Sequence, residues 1–239
     1  MKTWLITGCS SGFGRNLAET LLSEGEQVIV TARKPKTIQN FAKNYTVTAL
    51  CLRLDVTKKD TIDATVNAAI EKFGKIDVLI NNAGYCLRGA VEECTEEEIY
   101  AEFNTNFFGA VRMIQAVLPH MRKAGIGAII NYSSIAALDT SAGSAFYGAA
   151  KCALEGLSCG LRKEVEPLGI KVMVVEPGPF KTDFFDRSID INPNRIAAYD
   201  DTANKRKVKI SDLSKVDIKW CDMGRACKLI TDIIQRPDA

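Results

Sequence analysis

Two side chains suited to proton chemistry stand four positions apart in Tyr147-Gly148-Ala149-Ala150-Lys151, at the start of a helical pattern. Four residues make about one helical turn, so the phenol and the ammonium share a face. A free phenol ionises near pH ~10, too high to exchange protons efficiently at neutrality. A neighbouring ammonium favours phenolate and lowers that value, which makes the pair a candidate acid and base. The spacing also arises in helices by chance, so its companions decide its meaning. Ser134 closes the apolar run Ile130-Asn131-Tyr132-Ser133-Ser134, upstream of the tyrosine. A hydroxyl there could hold a substrate oxygen while Tyr147 moves the proton. Ser133 reads instead as a strand-end cap.

A second cluster is built to bind. In Thr7-Gly8-Cys9-Ser10-Ser11-Gly12-Phe13-Gly14 the glycines allow a tight turn and a close approach of backbone to a ligand. The N–H groups opening the next helix attract phosphate charge. Three glycines can be a plain loop, but this turn sits between a strand pattern and a helix pattern, the context a dinucleotide pyrophosphate needs. The second strand ends in Val30-Thr31-Ala32-Arg33-Lys34. No carboxylate is offered there to the adenosine ribose, whereas Arg33, with Lys34, can pair with a 2′-phosphate. NADP(H) is therefore expected over NAD(H), although a solvated basic turn has the same composition.

The elements that must position these groups follow a βαβ rhythm. Strands are expected near Thr3–Thr7, Gln27–Thr31, Val47–Leu54, Asp77–Asn81, Ala128–Tyr132 and Lys171–Glu176. They are nearly continuous apolar runs, as parallel strands covered on both faces require. Helices are expected near Arg15–Ser23, Asp60–Phe73, Glu96–Arg122, Phe146–Glu166 and Asp222–Ile234. The pattern predicts an α/β fold: a doubly wound parallel sheet of the Rossmann type in three layers, α/β/α. With no repeat or low-complexity linker, one domain over 1–239 is expected. The stretch 180–219 has no clear periodicity and reads as a substrate loop, in which Phe184, Phe185 and Tyr199 could form an apolar wall.

Composition excludes several classes. With 46% hydrophobic and 25% charged residues the chain is ordinary for a globular protein. Its 31 basic and 29 acidic residues leave a net charge of +2, which gives no case for nucleic acid or an anionic membrane. No apolar run approaches a membrane span of ~18 residues. The cysteines show no C-x-x-C spacing and several lie in apolar runs, so a reducing, cytoplasmic setting is expected. The single histidine, His120, lacks a ligand cluster, and no metal is expected.

Taken with Asn81-Asn82-Ala83-Gly84, Asn106, and Pro177-Gly178 followed by Thr182, these motifs resemble the short-chain dehydrogenase/reductase family over roughly residues 2 to 185. Their order and spacing make the resemblance specific. It implies that Tyr147 is the acid/base, that Ser134 orients the reacting oxygen, and that Lys151 binds the nicotinamide ribose and lowers the tyrosine's pKa. It implies that Asn106 holds a water in a proton relay. It also implies a cofactor site made by Gly8, Ser10, Ser11, Gly12, Phe13, Gly14, Arg33, Asp55, Val56, Asn82, Ala83, Gly84, Tyr147, Lys151, Pro177, Gly178 and Thr182. Asp55 would contact adenine, Asn81 would stabilise the central strands and line the adenosine site, and Thr182 would contact the carboxamide. From the residues alone, Asp55 reads as a helix cap and Asn81 as a turn residue.

The resemblance implies hydride transfer between NADP(H) and a small carbonyl or alcohol, in a homodimer or homotetramer packed through the helices near 96–122 and 146–166. The style of the Thr31-Ala32-Arg33 turn resembles bacterial members of unassigned substrate and retinol- and hydroxysteroid-type relatives, which suggests an apolar substrate. The chain ends at Ala239, just past the last expected helix, with little room for the seventh strand that members usually carry. Two rival functions stay open at this point: a non-catalytic dinucleotide-binding module, and a lyase or epimerase on the same scaffold. Tyr147 and Lys151 count against the module, which needs neither.

Overall fold

The computed structural model describes residues 1–180, 182, 188–206 and 220–235. Six parallel strands form the main sheet: β1 (Thr3–Ile6), β2 (Gln27–Ala32), β3 (Ala49–Arg53), β4 (Val78–Asn81), β6 (Gly127–Tyr132) and β7 (Ile170–Val175). Two short strands, β5 (Cys86–Arg88) and β8 (Ile189–Ile191), pair in parallel as a separate ribbon. The main order is β3-β2-β1-β4-β6-β7, so the winding reverses between β1 and β4. Ligands of such sheets gather at the carboxyl ends of the strands beside that reversal. Both the glycine turn after β1 and the segment after β4 lie there.

The strand sequences explain the layers. Successive residues of a strand point to opposite faces, so a strand buried on both sides must be apolar throughout. Trp4 and Ile6 enter one core with Leu17 and Leu21 of α1 (Gly12–Ser23), Phe41 of α2 (Gln39–Asn44) and Ile230 of α7 (Met223–Gln235). Leu5, between them, enters the other with Ile62 and Val66 of α3 (Lys59–Phe73), Met113 and Val117 of α5 (Phe108–Ala124) and Leu161 of α6 (Ala145–Val165). The three-layer fold expected from the alternation of strand and helix is present. None of the eight cysteines forms a disulfide, and among the described residues no helix is long and apolar enough to cross a membrane.

Three features depart from the sequence expectations. The single helix expected over Glu96–Arg122 is two, α4 (Glu96–Asn106) and α5, broken at Phe107 with φ −113° and ψ −65°. Around the break Asn106 turns back to bond the Tyr85 backbone, and Gly109 approaches Val56 so closely that a Cβ would lie 2.6 Å from a Val56 methyl. The β5–β8 ribbon was not expected, and it draws part of the segment after β7 against the segment after β4. Phe184 and Phe185 lie outside the described residues. Tyr199 builds no part of the cleft wall and instead donates its hydroxyl to Glu92, 2.6 Å away.

Beneath the site a polar chain crosses the sheet. Asn81 Nδ2 donates to Asn131 Oδ1 at 2.9 Å, Asn131 Nδ2 donates to Ser158 Oγ at 2.8 Å, and Ser158 donates to the Leu154 carbonyl at 2.7 Å. Asn131 is fully buried and ties β4, β6 and α6 together. Removing it strands buried polar groups on both sides, each costing about 1–3 kcal/mol. Asn131→Ala should therefore lower the free energy of unfolding in urea by about 2–4 kcal/mol; a loss below ~0.5 kcal/mol would show that the chain of amides does not hold these elements.

Candidate active site

The glycine turn begins with Gly8 at φ +76° and Gly12 at φ +59°, conformations that side-chain-bearing residues rarely adopt. Gly14 lies behind the turn, where a Cβ would stand 2.5 Å from Asn82 Nδ2 and 2.6 Å from the Gly8 carbonyl oxygen. Asn82 braces this backbone by donating to the Thr7 and Gly8 carbonyls at 2.8 and 3.1 Å. The Thr7 hydroxyl oxygen accepts the N–H groups of Asn82 and Ala83, both at 2.9 Å. Thus the cradle after β1 and the segment after β4 are stitched into one surface. Ser11 opens α1 without a side-chain cap bond, and the first turn carries no acidic residue, so its N–H groups face an anion site unopposed.

That surface floors a cleft of about 770 Å³. At one end are Ser10, Ser11, Gly12 and Phe13 with Arg33, Asp55 and Val56. Asn82, Ala83 and Gly84 line its middle, and Pro177, Gly178 and Thr182 its other wall. Tyr147, Lys151 and Ser134 close the far end. Asp55 accepts from the Thr57 N–H and hydroxyl at 3.0 and 2.7 Å. Burial works to raise its pKa, but those bonds and the charge of Arg33 hold it below the ordinary carboxylate value. Among the described residues no hydrogen bond or ion pair holds the exposed Arg33 guanidinium. A dinucleotide phosphate fits this arrangement: unopposed N–H donors at the turn and a cation at the adenosine end.

At the catalytic end α6 sets Tyr147 and Lys151 one turn apart, both buried, with the ammonium 5.6 Å from the ring centroid. Lys151 donates to the Tyr132 carbonyl at 2.7 Å, which fixes its head beside the end of β6. Burial pulls its pKa down to about 8, while Glu102 and Cys86 work to raise it. Tyr147 is displaced the other way: burial raises its phenol above the ordinary tyrosine value, and the hydrogen bond with Ser134 only partly offsets this. The neighbouring ammonium by itself would give a fall, and burial outweighs it. The enclosed phenol therefore keeps its proton through neutrality. Ser134 also caps the following turn, accepting from the Ala136 N–H at 3.1 Å, and Ser133 bonds Glu155 rather than facing the reacting groups.

Asn106 stands apart from the main cleft. Its Oδ1 accepts the Tyr85 N–H at 3.0 Å, and its Nδ2 donates to the Tyr85 carbonyl at 2.7 Å and to Glu102 at 2.6 Å. The amide is engaged in holding this backbone. With Lys151, Thr7 and Tyr132 it does line a cavity of about 10 Å³, room for about one water. Asn81 also borders that cavity, not the adenosine end of the cleft.

The residue that the sequence reading passed over is Glu102. It is fully buried, and its two oxygens accept from the Leu87 N–H at 3.1 Å and from Asn106. Burial pushes its pKa up to about 8, against the hydrogen bonds and the charge of Lys151. Its signal was a carboxylate one helical turn before Asn106.

Comparison with known proteins agrees with this geometry. A model of the short chain dehydrogenase family matches residues 2–191. The chain belongs to the short-chain dehydrogenase family. It is 47% identical over 182 residues to 3-ketodihydrosphingosine reductase of Bacteroides thetaiotaomicron, an alignment covering 76% of this chain but only 65% of that relative. Among solved structures it is similar to a short-chain dehydrogenase from Streptomyces avermitilis, with a TM-score of 0.88, 37% identity and coverage of 99% of this chain and 86% of that one. It is also similar to ElxO with NADP bound, with a TM-score of 0.83, 28% identity and coverage of 99% and 92%. The family supplies oxidoreductase chemistry on small molecules.

In its ionised form the Glu102 carboxylate works to raise the pKa of Lys151. Its removal lowers that pKa further, so the ammonium is lost at lower pH. Glu102→Gln should shift the alkaline limb of the pH–rate profile for cofactor-linked turnover to lower pH. A limb that stays in place, with the variant folded, would detach Glu102 from the proton chemistry.

Proposed function

We propose that this short-chain dehydrogenase transfers hydride between NADP(H) and a carbonyl or secondary alcohol with an apolar body. The observation that carries the reading is the buried Tyr147–Lys151 pair, with Ser134 bonded to the phenol, at the far end of a cleft that begins at the glycine turn. The residues around the cleft fit the cofactor at both ends. The turn after β1 and the first N–H groups of α1 would hold the pyrophosphate, Arg33 would pair with a 2′-phosphate, and Lys151 would reach the nicotinamide ribose. When bound, the nicotinamide supplies or accepts the hydride.

The protein's own part is orientation and proton handling. Ser134 and Tyr147 would hold the substrate oxygen from two sides, which fixes the carbonyl carbon within the cleft. Tyr147 would give its proton to that oxygen as negative charge develops there. Burial favours the protonated phenol, the form that acts as the acid in reduction. Lys151, beside the ring, would stabilise the phenolate left behind, and the small cavity between Lys151 and Asn106 offers a route for reprotonation. The Bacteroides relative, named for reduction of a ketone, supports a ketone as the oxidised substrate. Cys86, Ile189 and Ala136, packed around Tyr147, support an apolar body next to it.

Tyr147→Phe removes the acid and leaves the phosphate cradle untouched. Turnover of NADPH with a ketone panel, followed at 340 nm, should fall by ~10²–10⁴-fold with cofactor affinity nearly unchanged; parental turnover in the variant would refute the assignment. Arg33→Asp exchanges a cation for an anion where a 2′-phosphate would sit. Fluorescence titration should show preference moving from NADPH toward NADH by at least about tenfold, and an unaltered ratio would remove the case for NADP.

A further inference from the structure

On the reading that the cleft takes a carbonyl substrate, we infer that its substrate end recognises a carboxylate through Arg88. Arg88 ends β5, on the ribbon face that carries Cys86 toward Tyr147, and its side chain lines the cleft. Its charge acts on the Tyr147 phenol, which places the guanidinium close to where the reaction occurs. One nitrogen is fixed: Nη1 donates to Ser144 Oγ at 2.8 Å. Nε lies out of solvent with no acceptor in the structure. Nε and Nη2 make the opposite edge of the guanidinium, whose two parallel N–H bonds match the two oxygens of a carboxylate. A buried donor with no acceptor is costly, and a ligand oxygen would satisfy it.

The surroundings carry the same sign. Ser144 is the N-cap of α6, a helix of 21 residues with no acidic residue in its first turn, so the positive end of its dipole lies beside Arg88. Among the described residues Arg88 forms no ion pair. The acids along the cleft are directed elsewhere. Asp55 lies within the influence of Arg33, Asp190 acts on Tyr85 and Glu102, and Asp139 is exposed at the rim. The apolar wall of Cys86, Ile189 and Ile191 separates Arg88 from none of this space, since all share one face of the ribbon. The substrate class is thus an oxo or hydroxy acid with an apolar body, rather than a neutral or cationic ketone.

Isothermal calorimetry on the full chain, with and without NADP⁺, tests this with hexanoate and hexanamide, which share shape and apolar tail but differ in charge, an NH2 replacing one carboxylate oxygen. Hexanoate should bind at least about tenfold more tightly. That advantage should vanish in Arg88→Gln and shrink in the parent protein at about 0.5 M KCl, while hexanamide binding stays constant. Equal affinities in the parent, or an advantage that survives Arg88→Gln, would overturn the inference. If the variant fails to fold, the parent's salt series decides alone. Hexanoate binding without turnover of any ketone would remove the hydride-transfer reading and leave Arg88 in its role; turnover with equal affinities would do the reverse.

Discussion

A cation held out of water constrains the whole site. Lys151 is buried at the head of α6, and the protein must supply what water would have given it. One partner is the Tyr132 carbonyl at the end of β6. The second is Glu102, reaching from α4, whose charge, once its own raised pKa is passed, opposes the loss of the Lys151 proton. The third is the polar group that the cation serves, the Tyr147 ring on the same helix. Each comes from a different part of the fold, so the sheet, the broken α4–α5 pair and α6 must all be in register before the ammonium is tolerated.

The same enclosure decides which way the tyrosine leans. In an open site a neighbouring ammonium would be the main influence and would favour phenolate. Here desolvation of both groups is larger, and it pushes them toward their neutral forms, the phenol upward and the ammonium downward. The result is an acid that keeps its proton and a cation poised near neutrality. Reduction needs the first property, and replenishment of the proton is helped by the second.

Sequence and structure agree where the information is local. The strands were legible because both faces are covered, which leaves no polar residue to interrupt Leu5-Ile6 or Val28-Ile29-Val30. The glycine turn was legible because the φ of positions 8 and 12 is one that residues with a side chain rarely adopt. What stayed hidden depends on distant neighbours. The break at Phe107 is dictated by Asn106 reaching Tyr85, a contact across 21 positions. The ribbon of Cys86–Arg88 with Ile189–Ile191 is too short for periodicity to register, and its partners lie far apart in the chain. The displacement of Tyr147 could not be read from its one-turn neighbour, because burial belongs to the folded surroundings and not to the spacing.

The ribbon itself has an architectural meaning. It hangs outside the six-stranded frame and contributes nothing to the two main cores, yet it carries one bank of the channel facing the reactive hydroxyl. Its channel-facing side chains can change while the β5 backbone, which holds Glu102 through the Leu87 N–H, stays as it is. Diversification of what enters the channel is thereby uncoupled from preservation of the chemistry done inside it.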